Sequence, residues 1–157
     1  MQVDGTSALR IDTERLREAT AQSPSLQALL LRFVQAQLVQ TAHSSVANAH
    51  HRIESRLARW LLMCHDRIDG DDVHITHEFM SKMIAAQRTG VTLTLHVLEG
   101  EGMIRSKRGQ ITIIDREKLE HLAGEAYGKP EAEYSRLIAP FGRTSNVFQI
   151  ADKQNRG

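Results

Sequence analysis

The chain has 157 residues, 41% of them hydrophobic and 25% charged, which is enough for one globular domain with a buried core. Its single cysteine, Cys64, excludes an internal disulfide framework and any cysteine-rich zinc site. No apolar run approaches the length of a membrane span or a signal peptide, so we expect a cytoplasmic protein with no membrane partner. The net charge is only +1, but Arg105, Lys107 and Arg108 fall together around one turn.

The first segment, residues 1–24, is typical of the end of a larger unit. It starts with a short alternating stretch at residues 8–11. A short helix is then expected to run to Thr20, with Asp12 or Thr13 as its N-cap.

A long helix is predicted from Pro24 onward, with a break within the polar run at residues 48–52. Apolar residues recur there every three or four positions, at Leu31, Val34, Leu38, Ala42, Val46, Ala49 and Ile53. On a monomer this stripe would be a continuous exposed apolar patch. We therefore predict that Leu31, Val34, Leu38, Ala42 and Val46 form a parallel two-helix seam between two copies of the chain.

A second amphipathic helix is predicted over residues 53–68. The spacing turns Ile53, Leu57, Trp60, Leu61 and Cys64 toward a core, and Glu54, Arg56 and Arg59 toward water. Cys64 is therefore expected to be a buried, inert thiol. The segment ends in a loop at residues 70–72.

Residues 76–101 are predicted to form two helices joined by a very short turn. Thr76 is the expected cap of the first helix, a turn follows at residues 85–87, and the second helix covers Arg88 to Glu101. This spacing predicts a helix-turn-helix. Val91, Leu95, Leu98 and Met103 form its predicted apolar face, with Thr89, Thr92, Thr94 and His96 on the others.

Beyond Gly102 the pattern changes from helical to alternating. Two short alternating runs flank a turn at residues 107–109, which predicts a β-hairpin, or wing. Asp115 is the expected cap of a further helix that runs to about Ala126 and is stopped by residues 128–130. The remaining tail, residues 128–157, has no strong period, and we expect it to be partly disordered.

The start of the second helix carries the side chains suited to DNA. Short hydroxyls and one forked donor can reach base edges in the major groove and the nearby phosphates, and a basic hairpin tip can grip phosphate. The predicted DNA contacts are Gln87, Arg88, Thr89, Thr92, Lys82, His96, Lys107 and Arg108.

The stretches "RIESRLARWLLMCHDRI" and "ITHEFMSKMIAAQRTGVTLTLHVLEGEGMIRSKRGQITIIDREKLE" resemble the winged helix-turn-helix domain of the Crp/Fnr family of transcription regulators. The resemblance implies an α+β, mostly helical fold in which a long dimerisation helix precedes the winged domain. It makes residues 1–24 a remnant of an N-terminal effector domain, 25–51 the dimerisation helix and 52–127 the DNA-binding domain. Residues 1–24 contain no glycine-rich phosphate cassette, so cyclic nucleotide binding is not expected.

The resemblance also places individual residues. Arg88 occupies the position that resembles the family's leading base-reading arginine. Thr89 and Leu93 stand where better-known members carry a glutamate and a second arginine, so a different operator is expected. Ala85 stands where the family usually has glycine, and a left-handed alanine there would cost about 1 kcal/mol.

Other functions fit the residues less well. The histidines, including His43, His50 and His51, show no metal-ligand spacing, and no nucleotide loop or nucleophile motif is present, so we expect no metal, no cofactor and no enzyme activity. The expected partners are double-stranded DNA and a second copy of the chain, with RNA polymerase as a further candidate. The alternative is a dimeric helical module that uses the winged scaffold to bind protein, since fold alone does not fix function.

Overall fold

The computed structural model describes residues 9–140. Its helices are α1 (Thr13–Gln22), α2 (Pro24–His50), α3 (Ile53–His65), α4 (His77–Met83), α5 (Arg88–Gly100), α6 (Arg116–Ala123) and α7 (Lys129–Leu137). Its strands are β1 (Asp72–His74), β2 (Ile104–Lys107) and β3 (Gln110–Ile113), and a 3-10 turn covers Gly124–Ala126. The fold is α+β and mostly helical, as predicted.

Side-chain caps set the start of both N-terminal helices. Asp12 accepts a hydrogen bond from the Glu14 backbone N–H at 3.0 Å, which confirms the predicted cap of α1. Ser23 caps α2, and Pro24 follows in its first turn, where the missing N–H of proline costs nothing. The helix ends at His50, and residues 51–52 form the predicted break before α3.

The winged domain packs around α3, α5 and α6. Leu57, Leu61, Leu98 and Leu119 are fully buried in this core, together with Ile111 of the central strand. The sheet has the order β1-β3-β2 with both pairs antiparallel. The β2–β3 hairpin is the predicted wing, and the positive φ of Gly109 closes its turn.

The turn between α4 and α5 is closed by a C-terminal cap. The Ala86 N–H donates to Ser81 O at 2.9 Å and the Ala85 N–H to Lys82 O at 3.5 Å, the paired bonds of a Schellman motif. Ala85 has a φ of 50° and is the one non-glycine residue within 9–140 with positive φ. The strained alanine expected from the sequence is therefore present.

The C-terminal part differs from the expectation. Helix α6, capped by Asp115 as predicted, ends at Ala123 rather than near Ala126. Pro130 does not stop a helix but lies in the first turn of α7, where its fixed φ favours helix formation. Helix α7, which packs against α2, was not predicted from the sequence. Residues 141–157 of the predicted tail lie outside the described residues.

Arginines join the winged domain to the face of α2 that carries buried Ala36 and Ala47. Three of them reach that helix, Arg56 to Asn48 O at 3.1 Å, Arg59 to Ser44 Oγ at 3.1 Å and Arg67 to Gln40 Oε1 at 2.8 Å. We call these contacts the arginine ladder. Their acceptors recur every four residues and so share one face of α2.

The prediction that Arg59 faces water was wrong. Arg59 is only 4% exposed, because the segment between α6 and α7 covers it. Its Nε donates to Ala126 O at 2.8 Å. Burial lowers the pKa of Arg59, while the charge of the nearby Glu131 acts in the opposite direction.

Candidate nucleic-acid interface

Three elements converge on one open groove beside the start of α5. The N-terminal end of α4, the first residue of α5 and the tip of the wing line it, with Thr76, His77, Glu78, Arg88, Ser106, Lys107, Arg108 and Gly109 as the lining residues. The sequence predicted Arg88, Lys107 and Arg108 separately as DNA contacts, and the fold brings all three cations to this groove.

The residues that open α5 are exposed. Gln87 is the N-cap of the helix, and its side chain makes no capping hydrogen bond. Gln87, Arg88 and Thr89 all face solvent. These predicted contacts therefore lie on the accessible end of the helix, next to the wing.

Thr92 is placed differently from the other predicted contacts. It is half-buried, and its hydroxyl donates to Arg88 O at 3.1 Å and lies 3.0 Å from His77 Nδ1. Because the single hydroxyl proton is directed to the carbonyl, His77 Nδ1 acts as the donor in the second bond. The Thr92 hydroxyl thus links α4 to α5, and its role as a DNA contact stays a prediction.

His77 and Lys82 tune the charge around the groove. Burial lowers the pKa of His77, and the neighbouring Arg88 and His96 act in the same direction, so this imidazole favours its neutral form. Lys82 is exposed on α4, where it pairs with Glu78 at 3.0 Å. The hydrogen bond from Lys82 lowers the pKa of the Glu78 carboxyl.

The outward face of α5 is partly apolar, and its apolar residues were not among the predicted DNA contacts. Leu93 is 67% exposed and Val97 is 50% exposed, in line with exposed Thr89 and beside exposed His96. The four-residue spacing of Leu93 and Val97, which puts both on one side of a helix, was the signal in the sequence that could have indicated this apolar face. Thr94, predicted on an outer face, is buried instead because it lies beside the core-facing residues Val91, Leu95 and Leu98.

The predicted seam on α2 is exposed on the single chain. Leu31, Val34, Leu38 and Val46 have between 53% and 65% of their surface accessible, and Ala42 is exposed as well. Consecutive helix residues are about 100° apart, which puts this stripe on the opposite side of α2 from the arginine ladder. The winged domain therefore leaves the whole stripe uncovered.

Residues 9–140 contain no cluster of three or more His, Cys, Asp or Glu side chains that could hold a metal ion. Cys64 is fully buried, as predicted, and burial raises the pKa of its thiol. None of the helices in this range is long and apolar enough to cross a membrane.

Comparison with known proteins identifies the fold. Residues 55–122 match the family of the Crp-like helix-turn-helix domain. A search of curated proteins finds no significant match.

Several solved structures are similar to the chain. One is assigned to the Crp/Fnr transcriptional regulators of Eubacterium rectale, with 22% identity and a TM-score of 0.54 over 70% of this chain and 51% of that one. At this identity the likeness concerns the fold alone. A CRP-family regulator from Thermus thermophilus has 28% identity and a TM-score of 0.52, over 75% and 58% of the two chains.

A second regulator of the CRP/FNR family from the same organism has 26% identity and a TM-score of 0.52, and the match covers 73% of this chain and 56% of that one. In all three comparisons the chain covers between 51% and 58% of the solved structure.

Proposed function

We propose that the chain is a transcription regulator of the Crp/Fnr type, because residues 55–122 match the Crp-like helix-turn-helix domain, and that it binds duplex DNA sequence-specifically as a homodimer. Helix α5 is the recognition helix, and the β2–β3 hairpin is a wing that contacts the backbone. Such a regulator acts in the cytoplasm, with RNA polymerase as the further partner that control of transcription implies. We propose no reaction for it.

The observation that carries the proposal is the convergence of Arg88, Lys107 and Arg108 on one groove. Arg88 stands on the first turn of a 13-residue helix, long enough to lie in a major groove with its start at the base edges. The wing cations lie on the neighbouring hairpin, where phosphates flanking the groove would pass. In this proposal Arg88 reads a base and the wing holds the backbone.

The exposed stripe on α2 supports the dimer. A parallel pairing of two α2 helices through Leu31, Val34 and Leu38 would bury the patch and relate the two winged domains by a two-fold axis. Two recognition helices related in this way meet successive major grooves about 34 Å apart, which corresponds to an inverted repeat.

Selection of bound sites from random duplex DNA tests the proposal. We expect an inverted repeat with half-sites roughly one helical turn apart and a guanine opposite Arg88. Arg88→Ala should then weaken binding by about 1–3 kcal/mol per half-site and relax the preference at that base pair. Affinity for the selected operator and for a scrambled duplex is measured for both proteins by titration across a salt series.

Lys107→Ala is the matched control, because it also removes one cation from the groove. It should weaken the operator and the scrambled duplex alike and reduce the salt slope by about one per contact removed, which is about two for the dimer. Equal losses on both duplexes for Arg88→Ala would reduce that residue to a phosphate contact. If the chain showed no salt-dependent binding to any duplex, the result would favour the alternative, a winged module that binds protein.

A further inference from the structure

We propose that Leu93, with Val97 beside it, reads the 5-methyl group of a pyrimidine in each half-site, which in ordinary DNA is a thymine. This inference rests on the proposed DNA-binding function and names the chemical group that the middle of α5 recognises. It assigns a role to an apolar surface that neither the fold nor the dimer uses.

The geometry isolates these two side chains on the outward face. Leu93 and Val97 are one helical turn apart and are neighbours along α5, and Thr89 precedes them by one turn on the same line. Leu93 is 67% exposed and Val97 50%, whereas Leu95 and Leu98 of the same helix are buried in the core. The core of the winged domain is therefore complete without the outward pair.

The residues around the pair favour a binding partner that carries many negative charges and also an apolar group. The groove that holds Arg88, Lys107 and Arg108 adjoins the start of the same helix, and Glu78 is the one carboxylate among the described residues that line it, so cations outnumber anions near the pair. His96 is exposed next to Val97. A duplex satisfies both conditions, because its phosphates match the cations while the thymine methyl is the apolar group displayed in the major groove. A purely apolar partner would leave the cations without counter-charges.

The chemistry of the pair agrees with this assignment. A leucine side chain has no polar atoms to pair with any base edge, and so it can distinguish bases only by apolar contact. One buried methyl group is worth about 0.8 kcal/mol, which corresponds to roughly a fourfold change in affinity. We therefore expect a modest preference for a methylated pyrimidine, alongside the stronger reading of guanine by Arg88.

The test removes the methyl group and nothing else. In the selected operator each thymine of one half-site is replaced, one at a time, by deoxyuridine. At one position the affinity of the wild-type chain should fall about fourfold. At that position a 5-methylcytosine·guanine pair should likewise bind about fourfold more tightly than a cytosine·guanine pair, because the two pairs differ by the same methyl group.

Leu93→Ala supplies the decisive comparison. Its affinity for the operator should fall, and it should no longer distinguish thymine from deoxyuridine at the position found with the wild type. Ile114→Ala is the matched control, since Ile114 is an exposed aliphatic residue of the same domain outside α5. It should keep the fourfold discrimination, and thermal unfolding should confirm that both variants fold.

The outcomes separate this inference from the proposed function. Salt-dependent, sequence-specific binding without any methyl effect, or with the same effect in Leu93→Ala, would overturn the inference and leave the proposed function in place. The absence of duplex binding would overturn both. Capture of a protein partner that Leu93→Ala abolishes, with DNA binding unchanged, would assign the pair to a protein interface and also overturn the inference.

Discussion

Ala85 holds a backbone conformation that favours glycine. Its φ of 50° brings Cβ close to the following carbonyl, at a cost of roughly 1 kcal/mol or more. Ala85→Gly should therefore raise the free energy of unfolding by up to about 1 kcal/mol, since the relieved strain exceeds or matches the added entropy of the unfolded glycine. Urea unfolding followed by circular dichroism measures the change.

Ala132→Gly provides the control for the turn variant, because the same change is made at an exposed position inside α7. Without strain to relieve, it should lower the free energy of unfolding by about 0.5–1 kcal/mol. Opposite signs for the two variants identify backbone strain as the cause. Destabilisation by Ala85→Gly would mean that the turn does not keep its left-handed residue in solution.

At the scale of single elements, Arg59 links the turn before α7 to α2. The Arg59 side chain satisfies Ala126 O and Ser44 Oγ in a buried position. Arg59→Ala leaves these acceptors without a donor and opens the space between α3 and α2, so we expect a loss of roughly 2–3 kcal/mol in the free energy of unfolding. Denaturant titration measures it.

Arg136→Ala is the matched comparison on the surface of α7. Arg136 pairs with Glu133 at 2.7 Å but is largely exposed, and exposed pairs contribute little because water and salt screen them. This variant should unfold like the wild type. Similar losses for both arginines would show that Arg59 does not act through its buried contacts.

The sequence predicted elements whose signals are local. Thr76 and Asp115 cap the helices expected of them, and the wing lies at the turn around residue 109. Prediction from the sequence was wrong where a segment distant along the chain determines whether a residue is buried. Arg59 has the spacing of a solvated residue, but a segment 67 positions away along the chain buries it. The local sequence around Pro130 is equally compatible with the end of one helix and with the first turn of the next, and the structure shows the first turn of α7.

The candidate site divides in the same way. The cations at positions 88, 107 and 108 were predictable because charge and turn position are visible in the sequence, although their common groove is a property of the fold. The engagement of Thr92 by His77 was not predictable, because the two residues lie on different helices. The exposure of Leu93 depends equally on how α5 is rotated in the domain.

At the scale of the whole molecule, the α2 stripe determines the predicted assembly. Leu38 is 65% exposed near its middle, so Leu38→Glu would place a carboxylate in the proposed seam of each chain. We expect the wild type to be dimeric and the variant to dissociate at micromolar concentration, as measured by light scattering. Loss of the dimer should also weaken operator binding, because each half-site then binds alone.

Gln37→Glu is the appropriate control, since it adds the same carboxylate about 100° round the helix from Leu38. It should remain dimeric. A wild-type chain that scatters as a monomer at micromolar concentration would contradict the seam itself, and dissociation by both variants would point to general repulsion along α2 instead.

The arginine ladder closes the contact between α2 and the winged domain with hydrogen bonds and with small side chains such as Ala36 and Ala47. Opening that contact would hydrate mainly polar groups, together with the residues through which α7 packs against α2. Heat capacity and denaturant sensitivity scale with the surface that becomes hydrated. Separating the domain from its helix should therefore change the heat capacity less than melting the domain's own core does.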